Sequence, residues 1–243
     1  MNQKKENKGK SLRISGKDLG QLALQDFCPR CFWVQRHAPK GIPFQIFPGI
    51  FSSIDSYTKR VVHQHFDIHS RAPEWLAPLG ELTGYREPPH HSKFKAIHTV
   101  TGILLTGSVD AIFEKQDGSL AIADYKTAKF TGTQDALLPM YKVQLNSYAY
   151  IARALGWPAV SSLALIYAEP ETGSEHAHPS RSIRQAGYSM GFAAKILPIE
   201  LDLEMIDPLL ARVYELSMTE QAPDGRKGCG DCAKLSGILE ILE

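Results

Sequence analysis

The sequence predicts an α/β domain with a mixed central β-sheet flanked by helices. Short β-branched and aromatic segments, separated by turn residues, follow one another between residues 82 and 125, as in a meander of strands. Apolar residues then recur at helical spacing from Leu137 to Leu155, and a further strand-like segment follows at Ser162–Ala168. Strands interrupted by helices in this order indicate a sheet that is covered on both faces.

The first 80 residues are predicted to be helical after a polar start. Residues 1–14 are polar and lysine-rich, so we expect a disordered basic tail there. A first helix is predicted at Asp18–Asp26. A second is predicted at Ser53–His69, because apolar and aromatic residues recur there every three or four positions.

Strands dominate the middle of the chain, and helices and strands alternate after it. The first predicted strands are Leu82–Glu87, Phe94–Val100, Ile103–Phe113 and Leu120–Tyr125. Gly156 and Pro158 then end the long helix Leu137–Leu155. The remaining predicted elements are the strands Ser162–Ala168 and Met190–Leu201, the polar loop Glu169–Gly187 and the helix Met205–Met218. We expect a single domain over residues 15–243.

The composition excludes several classes of protein. Of the 243 residues, 43% are hydrophobic and 22% are charged, which is typical of a globular chain. The formal charge is +1, from 27 basic and 26 acidic residues, which excludes a strongly basic nucleic-acid coat but leaves a local basic groove open. No apolar run reaches the roughly 18–20 residues of a membrane span, and no apolar segment of a secretory signal follows the basic N-terminus. We therefore expect a cytoplasmic, reducing location without membrane contact.

Two acidic residues and one lysine form the most informative pattern. Asp124 and Lys126 are two positions apart on a predicted strand, so both side chains leave the same face. Burying them costs free energy unless they pair or bind a metal ion. A three-residue hairpin loop at residues 116–118, with Gly118 in the left-handed conformation, places Asp110 opposite Asp124, whereas a two-residue loop turns them to opposite faces. We expect the three-residue loop and a site for Mg²⁺ or Mn²⁺. A surface salt bridge between Asp124 and Lys126 is the alternative.

Three motifs resemble those of a known family. They are Gly107-Ser-Val109-Asp110, Asp124-Tyr-Lys126 and Gln144-Leu-Asn-Ser-Tyr148. Their order and spacing resemble the PD-(D/E)XK nuclease superfamily, specifically its RecB-like branch, which includes CRISPR-adaptation exonucleases that carry a cysteine cluster. The resemblance runs from about Cys28 to Cys232 and implies a restriction-endonuclease-like fold.

The resemblance implies a role for each matching residue. Asp110 and Asp124 would hold the divalent ions together with the backbone carbonyl of Tyr125, and Lys126 would assist the attacking water.

The helix motif has two interpretations. By the resemblance, Gln144 and Tyr148 would help to position the nucleic-acid strand and the metal-site residues. From the residues alone, two such side chains one helical turn apart are more often a sign of ordinary packing.

The chain departs from the family where a metal-binding His is expected before the first strand. Asp55 stands near that place and would be a hard oxygen ligand for the same ions. It also fits a capping box with Ser52 and an ion pair with Lys59 four residues later. His63 and His65 remain further candidates.

Two C-x-x-C pairs indicate a second metal site. Cys28 with Cys31 and Cys229 with Cys232 account for all four cysteines. Four thiolates can bind a tetrahedral zinc ion or an iron–sulfur cluster. About 200 residues separate the pairs, so a shared site would join the N- and C-terminal segments. The resemblance favours a [4Fe–4S] cluster, and the ligand set fits Zn²⁺ equally well.

Two other motifs do not carry a function. Gly187-Tyr-Ser189-Met-Gly191 matches a nucleophile elbow, but no His follows Ser189 in the chain, as that fold requires. Gly9-Lys10-Ser11 lacks the first glycine of a phosphate-binding loop, so any helicase would be a separate partner.

These observations predict a Mg²⁺- or Mn²⁺-dependent DNA nuclease that hydrolyses phosphodiester bonds. The resemblance implies exonuclease action on single-stranded DNA, with a helicase or a CRISPR-adaptation or DNA-repair protein as partner. The alternative is a catalytically inactive nucleic-acid-binding or scaffold protein that has kept the nuclease fold.

Overall fold

The computed structural model describes residues 12–38, 49–131 and 135–242 of the chain. Its strands are β1 (Arg13–Ser15), β2 (Leu82–Arg86), β3 (Lys95–Ile97), β4 (Leu104–Thr106), β5 (Ala111–Lys115), β6 (Leu120–Lys126), β7 (Val160–Pro170), β8 (Ile183–Arg184), β9 (Gly187–Tyr188) and β10 (Phe192–Ile199). Its α-helices are α1 (Gly16–Gly20), α2 (Pro29–His37), α3 (Gly49–His69), α4 (Leu138–Ala154), α5 (Pro179–Ser182), α6 (Ile206–Met218) and α7 (Gly230–Leu242). None of these helices is long and apolar enough to cross a membrane.

A five-stranded mixed sheet in the order β10-β7-β6-β5-β2 positions the site. β2, β5 and β6 are antiparallel neighbours, β6 and β7 are parallel, and β10 is antiparallel to β7. Parallel neighbours need a crossover connection, which α4 provides between β6 and β7. A smaller sheet has the order β1-β4-β3, with β1 parallel to β4. The predicted α/β fold with a mixed, helix-flanked sheet is confirmed.

Buried side chains form an apolar cluster on each face of the large sheet. Ile112 and Ile122 face the cluster that contains residues of α4 and α6. Phe113 and Ala121 face the cluster that contains residues of α3 and the 3₁₀ helix Glu74–Leu79. Neighbouring strand residues point to opposite faces, which explains this division. Because both faces are covered, β6 is buried along almost its whole length.

The contact between α1 and α4 depends on glycine. A Cβ atom on Gly20 would overlap the backbone oxygen of Met140, and one on Gly16 would lie 2.9 Å from Cβ of Ser147. Any larger residue at Gly20 would therefore push α1 away from the helix that carries Gln144.

The N-terminal tail and two predicted elements need correction. The prediction of a disordered tail over residues 1–14 is wrong at its C-terminal end, because β1 pairs with β4 and Ile14 is only 1% exposed. Residues 1–11 lie outside the described part of the chain. The strand predicted at Ile103–Phe113 divides into β4 and β5. The helix predicted at Asp18–Asp26 is replaced by α1 and the 3₁₀ helix Gln21–Ala23.

Regular structure also occurs where the residues show no periodic signal. The predicted polar loop Glu169–Gly187 contains the end of β7, α5, β8 and the start of β9. α2 begins directly after Cys28, with Pro29 in the first helical position where proline is favoured. The sequence does not predict α7, because its apolar side chains are not confined to one face, and Ile238, Leu239 and Ile241 are exposed.

Candidate active site and cysteine cluster

The β5–β6 hairpin sets the geometry of the acidic site. Ala111 pairs with Ala123, the backbone N–H of Lys115 donates to the oxygen of Ser119, and Gly118 has a φ of 80°. The predicted three-residue loop is therefore confirmed. Continuing the same register by one residue places Asp110 opposite Asp124. The backbone N–H of Tyr125 donates to Oδ2 of Asp110 at 3.2 Å.

Asp124 is a buried carboxylate with partners on two sides. Its side chain is only 4% exposed, Oδ1 accepts a hydrogen bond of 2.9 Å from Nε2 of Gln144, and Oδ2 forms an ion pair with Lys126. Burial raises the pKa of Asp124 to about 7; the charge of Asp110 adds to the rise and the charge of Lys126 opposes it. A proton therefore competes with any cation for this carboxylate near neutral pH.

A second lysine enters the site from α3. Nζ of Lys59 lies 3.0 Å from Oδ2 of Asp55 and 3.0 Å from Oδ1 of Asp110. Burial opposes the charge of Lys59, but Asp110 and Asp55 outweigh it and raise the pKa. Burial, together with the charge of Asp110, raises the pKa of Asp55. Oδ1 of Asp55 is buried and has no hydrogen-bond partner within the described part of the chain.

The ammonium of Lys126 is held over an aromatic ring at the edge of a groove. Nζ lies 4.0 Å from the ring centre of Tyr141, which is on α4. Across the groove, the hydroxyl of Tyr167 donates to Oδ2 of Asp135 at 2.9 Å. The groove has a volume of about 550 Å³, and Asp55, Asp110, Tyr125 and Lys126 contribute to its walls. The ammonium of Lys126 and the three carboxylates of Asp55, Asp110 and Asp135 thus face a space that is open to a ligand.

Gln144 and Tyr148 lie behind the carboxylates, away from the groove. Both side chains are buried, and Nε2 of Gln144 donates to the hydroxyl of Tyr148 at 2.7 Å as well as to Asp124. Their burial supports a role in orienting Asp124 and leaves little of their surface for direct contact with a nucleic-acid strand. A Cβ on Gly107 would lie 2.8 Å from the ring of Tyr148, so the glycine of the first motif makes room for the tyrosine of the third.

The two candidate histidines of α3 have other partners. The ring of His63 stacks on Tyr85 with centres 3.8 Å apart, and its Nδ1 lies 3.3 Å from Oε1 of Glu87. The ring of His65 lies against His69, with centres 4.6 Å apart. Neither histidine contributes to the wall of the groove.

The four cysteines come together at the ends of two helices. Their ligand atoms lie within 4.8 Å of one another, and they could hold a metal ion. Sγ of Cys28 is 3.5 Å from Sγ of Cys232, and Sγ of Cys31 is 3.6 Å and 3.4 Å from those of Cys229 and Cys232. The predicted clustering of the N- and C-terminal cysteines is confirmed.

The surroundings of the cysteine cluster act differently on its sulfurs: burial and the neighbouring thiols raise the pKa of Cys31, and burial raises that of Cys232, whereas Cys28 is favoured as a thiolate. Cys28 caps the N-terminus of α2, and Cys229 immediately precedes α7, so two helix N-termini point towards the sulfurs. Burial opposes ionisation of Cys28, but hydrogen bonds from the backbones of Cys31 and Arg226 outweigh it and lower the pKa to about 6. Metal ions bind the thiolate form.

Sequence reasoning missed several residues of the site. The sequence relates Lys59 only to Asp55, four residues away, and nothing in it connects Lys59 to Asp110. Tyr141 precedes Gln144 by three positions, and this helical spacing could have placed it on the same side of α4. Asp135 and Tyr167 meet through the fold alone and left no pattern in the sequence.

Comparisons with known proteins identify the family. The model of the PD-(D/E)XK nuclease superfamily matches residues 52–235, which is more than half of the chain and includes all three motifs. The chain belongs to the PD-(D/E)XK nuclease superfamily. The expected resemblance is thereby confirmed, and Asp110 of the first motif and Lys126 of the second line the acidic groove of this nuclease.

Individual proteins, among them the following two, are also similar to this nuclease. An ATP-dependent helicase/nuclease subunit of Clostridium novyi (strain NT) is 31% identical over 99 residues, which is 35% of this chain and 8% of that protein. That match supports the RecB-like branch, although the chain spans less than a tenth of the relative's length. A solved structure described as the crystal structure of SSO0001 is 16% identical, with a TM-score of 0.44 over 88% of this chain and 81% of the other.

Proposed function

We propose that this protein is a divalent-metal-dependent deoxyribonuclease that hydrolyses phosphodiester bonds. The observation that carries the proposal is that the confirmed hairpin register brings Asp110 and Lys126 to the wall of one groove, with the buried carboxylate of Asp124 paired to Lys126 directly behind it. These are the acidic and basic residues of the two strand motifs in a chain that belongs to a nuclease superfamily.

The donor set fits Mg²⁺ or Mn²⁺. Both ions prefer oxygen ligands, and Asp110, Asp124 and the backbone carbonyl of Tyr125 would supply them at adjacent strand positions. When bound, such an ion would lower the pKa of water and neutralise charge at the scissile phosphate. Because burial raises the pKa of Asp124, a bound divalent cation would add to Lys126 in stabilising the charged form of this carboxylate.

The protein's own residues position this chemistry. Gln144 holds Asp124 by a hydrogen bond, which fixes the orientation of the carboxylate. Tyr141 and Asp124 hold the ammonium of Lys126 at the groove, where it can donate hydrogen bonds to the attacking water and to the non-bridging oxygens of the phosphate. Donors fixed before the reaction need no reorganisation when negative charge develops.

We further propose that the protein acts as an exonuclease on single-stranded DNA in the cytoplasm. It rests on the resemblance to the RecB-like branch, and the similarity to a helicase/nuclease protein supports it. By the same similarity, we propose that a helicase, or a CRISPR-adaptation or repair protein, presents the strand to the groove.

For the cysteine cluster, the spacing of the sulfurs favours zinc. A tetrahedral site with metal–sulfur distances of about 2.3 Å separates its sulfurs by about 3.8 Å. The three closest pairs of sulfurs are 3.4 to 3.6 Å apart and all four sulfurs lie within 4.8 Å of one another, a spacing near that of a single tetrahedral ion. In a [4Fe–4S] cluster each thiolate binds a different iron of a cube-shaped core, which holds the sulfurs further apart. We therefore propose a single Zn²⁺ here in place of the cluster that the resemblance favours.

Cleavage of labelled DNA tests the proposed reaction. Linear single- and double-stranded DNA, labelled at the 5′ or 3′ end, and circular single-stranded DNA would be incubated with Mg²⁺ or Mn²⁺. We expect mononucleotides or short products from linear single strands, intact circles, and no cleavage by Lys126→Met. Lys95→Met, an exposed lysine on β3, serves as the matched control. Cleaved circles would refute the exonuclease assignment, and a folded, metal-loaded protein without cleavage would favour the binding or scaffold alternative.

Metal analysis tests the cysteine site separately. Protein purified without oxygen should contain one zinc per chain and show no visible absorption. Four irons per chain, with a broad visible absorption that disappears on reduction or exposure to air, would contradict the zinc proposal. Cys232→Ser should lose the metal in either case, because it removes one of the four ligands.

A further inference from the structure

Lys59 makes two ion pairs in the acidic site, and no motif of the chain accounts for it. Its Nζ lies 3.0 Å from both Asp55 and Asp110, and its side chain is only 27% exposed. A single exposed pair at this helical spacing contributes little and leaves the lysine mobile. Two carboxylates on different elements, one on α3 and one before β5, hold the ammonium at one place.

The ammonium occupies the position between the two carboxylates. Oδ1 of Asp110 contacts Lys59, whereas Oδ2 accepts the backbone N–H of Tyr125. Any other cation shared by Asp55 and Asp110 would have to displace the ammonium. Oδ1 of Asp55 is buried without a hydrogen-bond partner among the described residues. A nearby cation is therefore needed to offset the free-energy cost of burying this carboxylate.

Lys59 changes the formal charge of the acidic site and so the number of divalent ions that the site can accept. The carboxylates of Asp55, Asp110 and Asp124 and the ammoniums of Lys59 and Lys126 together carry a formal charge of −1 when all are ionised. One divalent ion reverses this charge, and a second would enter a site that is already positive. Without Lys59 the formal charge would be −2, so one divalent ion would bring the site to neutrality without making it positive, and the place between Asp55 and Asp110 would be free for a second ion.

We propose that Lys59 takes the place of a second divalent cation, so that the nuclease site binds a single ion at Asp110 and Asp124. Asp55 is then the counter-charge of Lys59, and it becomes a metal ligand only when Lys59 is removed. The proposal rests on the proposed function in one respect, namely that the Asp110–Asp124 pair binds a divalent ion.

Counting bound Mn²⁺ tests the proposal without measuring activity. Calorimetric titration and electron paramagnetic resonance of free Mn²⁺ would be applied to the full chain with its cysteine site loaded. We expect one Mn²⁺ in the wild type and in Lys59→Arg. Lys59→Met should bind two, the first about tenfold more tightly because a nearby positive charge is lost. The double variant with Asp55→Asn should return to one ion, since the second site has lost a carboxylate.

The controls separate this proposal from the proposed function. Lys95→Met should match the wild type, and far-UV circular dichroism should show that each variant is folded. Lys59→Gln repeats the test if Lys59→Met is not folded. One ion in the folded Lys59 variant, whatever its affinity, overturns the role of Lys59. No specific Mn²⁺ in the wild type, or wild-type binding by Asp124→Asn, would instead overturn the metal site of the proposed function.

Discussion

Replacing Asp124 with Asn should remove a large pH dependence from the stability of the metal-free protein. Burial raises the pKa of Asp124 to about 7, compared with about 3.9 in an unfolded chain. Between these values the folded state holds a proton that the unfolded state has lost, so the stability falls as the pH rises from about 4 to about 7. For this carboxyl alone, the loss between pH 5 and pH 8 is about 2–3 kcal/mol. Asn cannot titrate, so the variant should not show this loss of stability.

Urea denaturation in buffer without added divalent ions measures this effect. The free energy of unfolding would be determined at pH 5 and pH 8 for the wild type and for Asp124→Asn. Histidines and other groups titrate in both proteins, so the quantity of interest is the difference between them. We expect the wild type to lose about 2–3 kcal/mol more than the variant between the two pH values.

Mg²⁺ provides a second test of the same residue. Because the ion binds the ionised carboxylate, it should stabilise the wild type more at pH 8 than at pH 5 and stabilise Asp124→Asn little at either. Asp67→Asn, an exposed carboxylate on α3, is the control and should behave like the wild type. An equal pH dependence in the wild type and in Asp124→Asn would refute the conclusion that burial controls this carboxylate.

Further substitutions test the parts of the structure that support the site. Tyr141→Leu should lower the cleavage rate about tenfold in single-turnover assays, because a cation over an aromatic ring contributes about 1–2 kcal/mol, while Tyr141→Phe should retain the rate. Removing the cysteine-bound metal with a chelator should lower the melting temperature by about 10 °C or more, since the site joins α2 and α7; an unchanged melting curve would contradict this. Gly20→Ala should cost at least about 2 kcal/mol in urea denaturation through its overlap with Met140, whereas Gly237→Ala, with open space around it, should not destabilise.

The central sheet could be predicted from the sequence because its signals are local. Short apolar segments bounded by turn residues mark β5 and β6, and the position of one glycine, Gly118, decides the register that brings Asp110 opposite Asp124. The two cysteine pairs could also be predicted to meet, because two C-x-x-C motifs in one chain commonly supply the four ligands of a single metal site.

Other features depend on contacts between distant parts of the chain. β1 follows a polar, lysine-rich segment of the sequence. It forms a strand because it pairs with β4, which places Ile14 opposite Leu105. The position of Lys59 depends on how α3 packs against the sheet, so its contact with Asp110 has no signature in the sequence. Burial of Gln144 and Tyr148 likewise follows from the packing of α4, which directs them to Asp124 and away from the groove.

The most direct measurement is the single-turnover cleavage rate of an end-labelled single-stranded oligonucleotide as a function of Mg²⁺ concentration. It would be made for the wild type and for Asp110→Asn, which keeps the shape of the side chain and removes its charge. We expect cleavage by the wild type only when a divalent ion is present, and a rate at least about a hundredfold lower in the variant. Cleavage by Asp110→Asn at the wild-type rate, or by the wild type without divalent ions, would contradict a metal-dependent nuclease site in this groove.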